Sequence, residues 1–456
     1  MKKLFLSLLL VLSAITMSAE IRYVFLFIGD GMGMGHVTAA ELYNRSILKS
    51  EKPLLMMQFP VVSMSTTHSA NNPVTDSAAA GTALATGSKT RNGMIGMNAD
   101  TIAVTSVATQ LKAMGYGVGV VTSVAYDDAT PGAQFGHRKN RGLYEDISHD
   151  GADSGFDFIA GSYTYAARKG AASAEKALGY FRNNGYLVAH SVNELTEATA
   201  DKVLVTASDP SQPNSIGYTI DSIQGKDRLA DLTRACLNHL QRVSPNRFYM
   251  MVESGLIDHA AHGNDGTTVV KEVIDFQHSI KIAYDFYLSH PTETLIIVTA
   301  DHDTGGMTIG TNGCPYPLSL KAIDYQLMSK GAFNDYIASQ QDIQWDEMKK
   351  LMNEKLGLWS HIPVTAEEEA VLFAAFEKQK GESSDTQKTL YKDYSNFTAT
   401  VFNLMNRKNG YGFTTTNHTG NPVPVYAIGC GAQLLNHLND NIDIPEAIRT
   451  VTGIKK

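Results

Sequence analysis

Cysteine is scarce in this chain, with only Cys236, Cys314 and Cys430 among 456 residues. At most one internal bridge can form, which excludes a disulfide framework; the ordinary reading of the three is as buried apolar residues. Long apolar runs are missing after the first twenty residues, so no later stretch reads as transmembrane. An excess of positive charge is missing too. Lys and Arg number 38 against 46 Asp and Glu, for a net charge of −8, which does not favour a nucleic-acid partner. No internal repeat or long low-complexity run is visible.

What is present is the composition of an ordinary globular protein, 43% hydrophobic and 18% charged, long enough to bury a large core. The chain begins Met1-Lys2-Lys3, continues with the apolar run Leu4 to Ile15, and ends this segment at Thr16-Met17-Ser18-Ala19. That order of basic, apolar and small residues reads as a secretory signal peptide over 1–19, cleaved after Ala19, in a periplasmic or secreted protein. Its loss would delete two lysines and take the charge from −8 to −10.

Short β-branched or aromatic runs at Arg22 to Ile28, Gly117 to Thr122, Arg247 to Val252, Leu295 to Thr299 and Val425 to Ile428 read as buried strands. Between them, Ser77 to Thr86, Val104 to Met114, Leu229 to Gln241 and Val269 to Ser289 suit helices. Such alternation predicts an α/β fold on a mostly parallel central sheet with helices on both faces. From about 311 to 409 the pattern turns more charged and helical, as at Trp345 to Leu356, and Thr365 to Glu368 offers a capping box. This stretch is expected to be an inserted helical subdomain over a catalytic domain spanning 20–456.

Polar residues fall at or just after the predicted strand ends: Asp30, Asp128 with Thr130, Glu253, and Asp301-His302. In open α/β sheets the binding crevice lies outside the carboxyl ends of the strands, so these groups can converge. Asp258 and His262 stand four apart, the spacing of a chelating pair on one helical face and equally of a plain surface pair. Glu253 and Asp301-His302 tip the balance, because carboxylate plus imidazole is a zinc ligand set. Ser77 follows Asp76 at the start of a small-residue helix. It can be an N-cap, or a hydroxyl held among the unpaired N–H groups that favour an alkoxide or a phosphate.

Six ordered motifs resemble those of alkaline phosphatases. They are Phe27 to Gly33, Val74 to Ala79, Asp128 to Pro131, Val252-Glu253 with Ile257-Asp258 and His262, Thr299 to His302, and His418 to Gly420. The resemblance runs from about Tyr23 to Gly429 and is weakest in the helical insert. It implies hydrolysis of phosphate monoesters through a phosphoserine on Ser77, at a site of two zinc ions and one magnesium. By the same likeness Asp258, His262 and His418 hold one zinc, and Asp301 and His302 the other. Asp30 bridges to magnesium, whose protein ligands are completed by Thr130 and Glu253. Asp128 matches a group holding magnesium-bound water, and Arg141 one that grips two phosphate oxygens, with Arg138 the competing arginine. Three divalent ions against the four carboxylates Asp30, Asp258, Asp301 and Glu253, with Arg141, leave the pocket cationic.

His259 stands where enterobacterial-type enzymes carry Lys, although those enzymes resemble this chain in having Asp at position 128; mammalian-type enzymes have His at both. A histidine, with an ordinary pKa of about 6.5, is mostly neutral at alkaline pH, so phosphate is expected to be held less tightly here. Phosphodiesterases and sulfatases of the same superfamily share the paired-metal ligands, and a binding protein without turnover is a further alternative. Thr130, Glu253 and Arg141 favour the monoester. Homodimers are common among similar proteins.

Overall fold

The structure, a computed structural model, describes residues 21–455 except 196–198, 209–213, 222–225, 315, 317, 319, 341, 380–385, 438 and 439. The expected signal peptide lies outside the described residues. At the centre is a nine-stranded sheet. Its strands are β1 (Tyr23–Gly29), β2 (Val61–Ser65), β3 (Gly117–Thr122), β4 (Phe158–Gly161), β5 (Leu187–Ala189), β6 (Val203–Thr206), β7 (Phe248–Ser254), β8 (Thr294–Thr299) and β9 (Val423–Gly429). In space they run β2-β9-β8-β1-β7-β3-β4-β6-β5. Neighbours are parallel from β8 to β5, while β9 is antiparallel to both β8 and β2.

Strand period decides which core each side chain enters. In β1, Tyr23, Phe25 and Phe27 join one apolar cluster, and Val24, Leu26 and Ile28 join the other. The first cluster is closed by the helices Met34–Ser46, Leu229–Val243 and Gly266–Ser289. On the opposite face lie Ser77–Thr86, Val107–Ala113, Ala171–Asn183 and Asp443–Thr452. Residues buried on both sides explain why β1, β7 and β8 read as continuous apolar runs.

A third apolar cluster draws all its buried members from Ala322 to Met405. Its helices include Lys330–Ser339, Trp345–Leu356, Ala366–Gln379 and Asn396–Lys408. The capping box forms: Glu368 N donates to Thr365 Oγ1 at 3.2 Å, and Thr365 N to Glu368 Oε2 at 2.9 Å. None of the three cysteines is in a disulfide, and only Cys236 is fully buried, with Cys314 and Cys430 partly exposed. No helix among the described residues is long and apolar enough to cross a membrane.

Glu272 is buried in the Gly266–Ser289 helix, where its Oε1 accepts from Thr219 N at 2.6 Å. Burial pushes its carboxyl up to about 7, against the pull of Arg228 Nη2 at 3.9 Å. Between the ordinary value of about 4.3 and that one the folded state keeps a proton the unfolded chain loses, so stability falls as pH rises through this window. Glu272→Gln is expected to remove roughly 2–3 kcal/mol of this pH dependence. Melting temperatures of both forms at about pH 5 and about pH 8 would show it.

Candidate active site

Because β1, β3, β7 and β8 are parallel, their carboxyl ends lie along one edge of the sheet. Asp30 follows β1, Asp128 and Thr130 come soon after β3, Glu253 closes β7, and Asp301-His302 follow β8. The turn after Asp30 needs glycine. Gly31 has φ 70°, and a Cβ there would stand 2.7 Å from Thr304 Oγ1 and 2.8 Å from Asp258 Oδ1. Its bare backbone N–H donates instead to Asp301 Oδ1 at 3.1 Å.

Ser77 is buried at the first turn of its helix, but the cap is Asp76, whose Oδ1 accepts from Ala79 N at 3.0 Å. The serine hydroxyl is thereby left for His302, with Oγ 3.1 Å from Nε2. The same Nε2 lies 3.3 Å from Asp30 Oδ1 and 3.1 Å from Asp301 Oδ2. Gly81 lets this helix approach Thr130, where a Cβ would come within 3.1 Å of Cα.

A second group stands beside the first. His262 Nε2 is 3.4 Å from Asp258 Oδ2, His418 Nε2 is 3.7 Å from Asp258 Oδ1, and the two Nε2 atoms are 3.0 Å apart. The other ring nitrogens of these histidines are engaged. His262 Nδ1 donates to Thr416 O and His418 Nδ1 to Thr75 O, while His302 Nδ1 meets Thr304 Oγ1 at 3.2 Å. A carbonyl only accepts, so Nδ1 of His262 and of His418 carries a proton, and in the neutral ring each Nε2 presents its lone pair inward. Two lone pairs at that separation repel unless a proton or a metal cation lies between them.

Buried oxygens repeat the message. Asp30 Oδ1, Thr130 Oγ1, Asp258 Oδ2 and Asp301 Oδ2 have no hydrogen-bond partner, an arrangement folded proteins avoid unless something else satisfies the atoms. Burial raises the Asp30 carboxyl well above its usual range, with Asp301, Asp258, Glu253 and Asp128 adding repulsion. Burial also pushes Glu253 up to about 8. Donor atoms of Asp30, Asp301 and His302, and of Asp258, His302 and His418, lie close enough to share an ion. With arms of about 2.0–2.1 Å, a tetrahedral zinc site has edges of about 3.3 Å, and the separations here scatter around that length. The donor set fits zinc, and Asp30, Thr130 and Glu253 offer the oxygens magnesium accepts.

Arg141 Nη2 donates to Asp128 Oδ1 at 3.0 Å, and Nη1 is 3.5 Å from Asp76 Oδ2, so its guanidinium is fixed beside Ser77. Arg138 turns away to Asp150 and to Asp146 O. Asp128 also caps the short helix Ala129–Gly132 through Ala129 N at 2.7 Å. His259 is buried beneath Tyr391, ring centroids 3.7 Å apart, and burial lowers its pKa to about 4. Of the histidines outside this group, His68 pairs with Asp440, His137 with Gly96 O and His149 with Asp153, but His36 is fully buried, 3.6 Å from Asp303. Its place against the segment after His302 is what the sequence conceals. Tyr391 was not among the expected site residues either, and no local pattern marks it.

The family model described as alkaline phosphatase matches residues 21–166 and 168–454. Alkaline phosphatase 4 of Bacillus subtilis (strain 168) is 30% identical over 441 residues, 93% of this chain and 87% of that protein. The solved cold-active alkaline phosphatase from the psychrophile Shewanella sp. has a TM-score of 0.79 at 28% identity, covering 94% of this chain and 99% of that one. Thermus thermophilus alkaline phosphatase shares the fold, with a TM-score of 0.79 at 24% identity over 96% of this chain and 92% of that one. With a match running almost unbroken through the described residues, and a relative aligned over most of both chains, this chain belongs to the alkaline phosphatase family and is a hydrolase of phosphate monoesters.

Proposed function

We propose that the hydrolysis runs through a phosphoserine on Ser77, at a site holding two zinc ions and one magnesium. The observation carrying this reading is the set of unpartnered oxygens and inward-facing imidazole nitrogens that converge on the Ser77 hydroxyl. Asp258, His262 and His418 would hold one zinc, Asp301, His302 and Asp30 the other, and Asp30, Thr130 and Glu253 the magnesium. When bound, the ions supply Lewis acidity toward the serine hydroxyl and the leaving oxygen.

The chain's own groups do the rest. Ser77 Oγ forms the new bond to phosphorus as the ester P–O bond breaks, and water then cleaves the phosphoserine to release phosphate. Asp76 holds the helix end so that its free N–H groups face the phosphoryl oxygens. Arg141, oriented by Asp128 and Asp76, grips two of those oxygens. His259, buried against the Tyr391 ring, adds no cation to the phosphate pocket. Residues 311–409 are read as an insert that covers the site. A periplasmic or secreted location fits the composition of 1–19, and a homodimer is the assembly to look for.

The test compares a chromogenic monoester, a diester and a sulfate ester on wild type, Arg141→Ala and Arg138→Ala. Wild type is expected to prefer the monoester. Arg141→Ala should raise the monoester KM and the inhibition constant for phosphate by about 10–100-fold, with a smaller loss on the diester. Arg138→Ala should stay within about 2-fold of wild type, as expected for an ion pair near the surface. Equal losses on monoester and diester in Arg141→Ala would contradict the assignment.

A further inference from the structure

Tyr391 belongs to a hairpin in which Thr386–Gln387 pairs with Tyr394–Ser395, and it sits in the connecting tip. The hairpin is pinned at its base. Lys330 Nζ, fully buried, donates to Gln387 Oε1 at 2.7 Å and to Gly263 O at 2.7 Å, tying it to the residue after His262. At the tip, Lys392 N donates to Thr389 Oγ1 at 3.2 Å, and Lys392 Nζ pairs with Asp335. The tyrosine ring is thereby laid on His259, with centroids 3.7 Å apart and planes at 37°, and edge-on to His262 at 5.2 Å and 78°.

Its hydroxyl is sealed from solvent and has no hydrogen-bond partner. Asp258, Asp128, Arg141 and Asp30, charged groups of the candidate site, lie near enough to act on it electrostatically. A phenol O–H in such a place is a donor without an acceptor, and folded proteins rarely leave one so.

We propose that Tyr391 is a substrate-binding residue whose Oη donates a hydrogen bond to a non-bridging oxygen of the phosphoryl group, delivered by the hairpin at 386–395. The inference rests on the reading of the site as one for phosphate. It assigns the hairpin a direct part in recognition, because the ring, braced on His259, cannot move without the hairpin.

Tyr391→Phe isolates the hydroxyl, since the ring and its stacking are kept. In holoenzyme loaded with zinc and magnesium, the inhibition constant for inorganic phosphate and the monoester KM should each rise about 10-fold, the loss of one hydrogen bond to a charged group. Loss of an interaction made equally in the bound and transition states leaves kcat near wild type. Metal content should not change, and the melting temperature should not fall. Unchanged constants in the variant, with wild type inhibited by phosphate as usual, would overturn the role of Tyr391 alone, as would a fall in kcat with phosphate affinity intact. A wild-type holoenzyme that phosphate does not inhibit would overturn the site reading and the tyrosine proposal together.

Discussion

Ser77→Ala is expected to abolish the covalent phosphoenzyme and lower turnover by about 10³-fold or more, while metal content stays near wild type. The variant should fold, because the helix end is held by Asp76 and its bond from Ala79 N, so the lost hydroxyl caps nothing. It should also keep its ions, since Asp30, Asp301 and His302 are still grouped without it. The remaining rate should exceed that in water, because Arg141 and the helix N–H groups still bind the phosphoryl group for direct attack by water. Acid quenching with labelled phosphate, beside metal analysis and steady-state rates, is the measurement. Phosphate trapped covalently on the alanine protein would sink the nucleophile assignment.

The second large effect is metal removal. Chelation is expected to take activity to background, zinc to restore most of it, and magnesium to add to the zinc-restored rate without replacing zinc. Among the described residues the grouped imidazole nitrogens stand with Asp258, Asp301 and Asp30, while Thr130 and Glu253 offer oxygen. Stripped protein should also melt at a lower temperature. Asp30 is then buried among repelling carboxylates, and adding ions should raise the melting temperature with concentration, as binding to the native state requires. Full recovery with magnesium and no zinc would overturn the ligand assignment.

These experiments probe residues that the sequence itself singles out, because most of them fall at or near strand ends and one parallel edge gathers them. The longer apolar strands and the helix from Ser77 to Thr86 were equally plain, since each carries enough residues to show its period. Phe158–Gly161, Leu187–Ala189 and Val203–Thr206 escaped notice because three or four residues are too few. Val61–Ser65 lies at the sheet edge, half exposed, and is identified by its pairing with β9 rather than by its pattern. Strand direction is likewise silent in composition: nothing in Val423–Gly429 says it runs against β8. Ser77 reads from sequence as either a cap or a nucleophile; Asp76 occupies the cap, which leaves the serine hydroxyl to His302. Tyr391 depended on a fold-back of more than a hundred residues onto His259, which no local signal carries.

The placement of β1 has a kinetic side. Tyr23 pairs with Phe248 and with Thr294, 225 and 271 positions later, so the middle of the sheet is built from the earliest residues and its two neighbours from late ones. Closing chain segments of that length is entropically costly, and ladders so remote in sequence form slowly. During synthesis, Phe25, Leu26 and Phe27 therefore wait for partners that do not yet exist, and the emerging chain stays open and adhesive for most of its length. A ribosome-bound fragment ending before residue 294 is left with one flank of its central strand bare, so folding must be completed after nearly two thirds of the chain has been made.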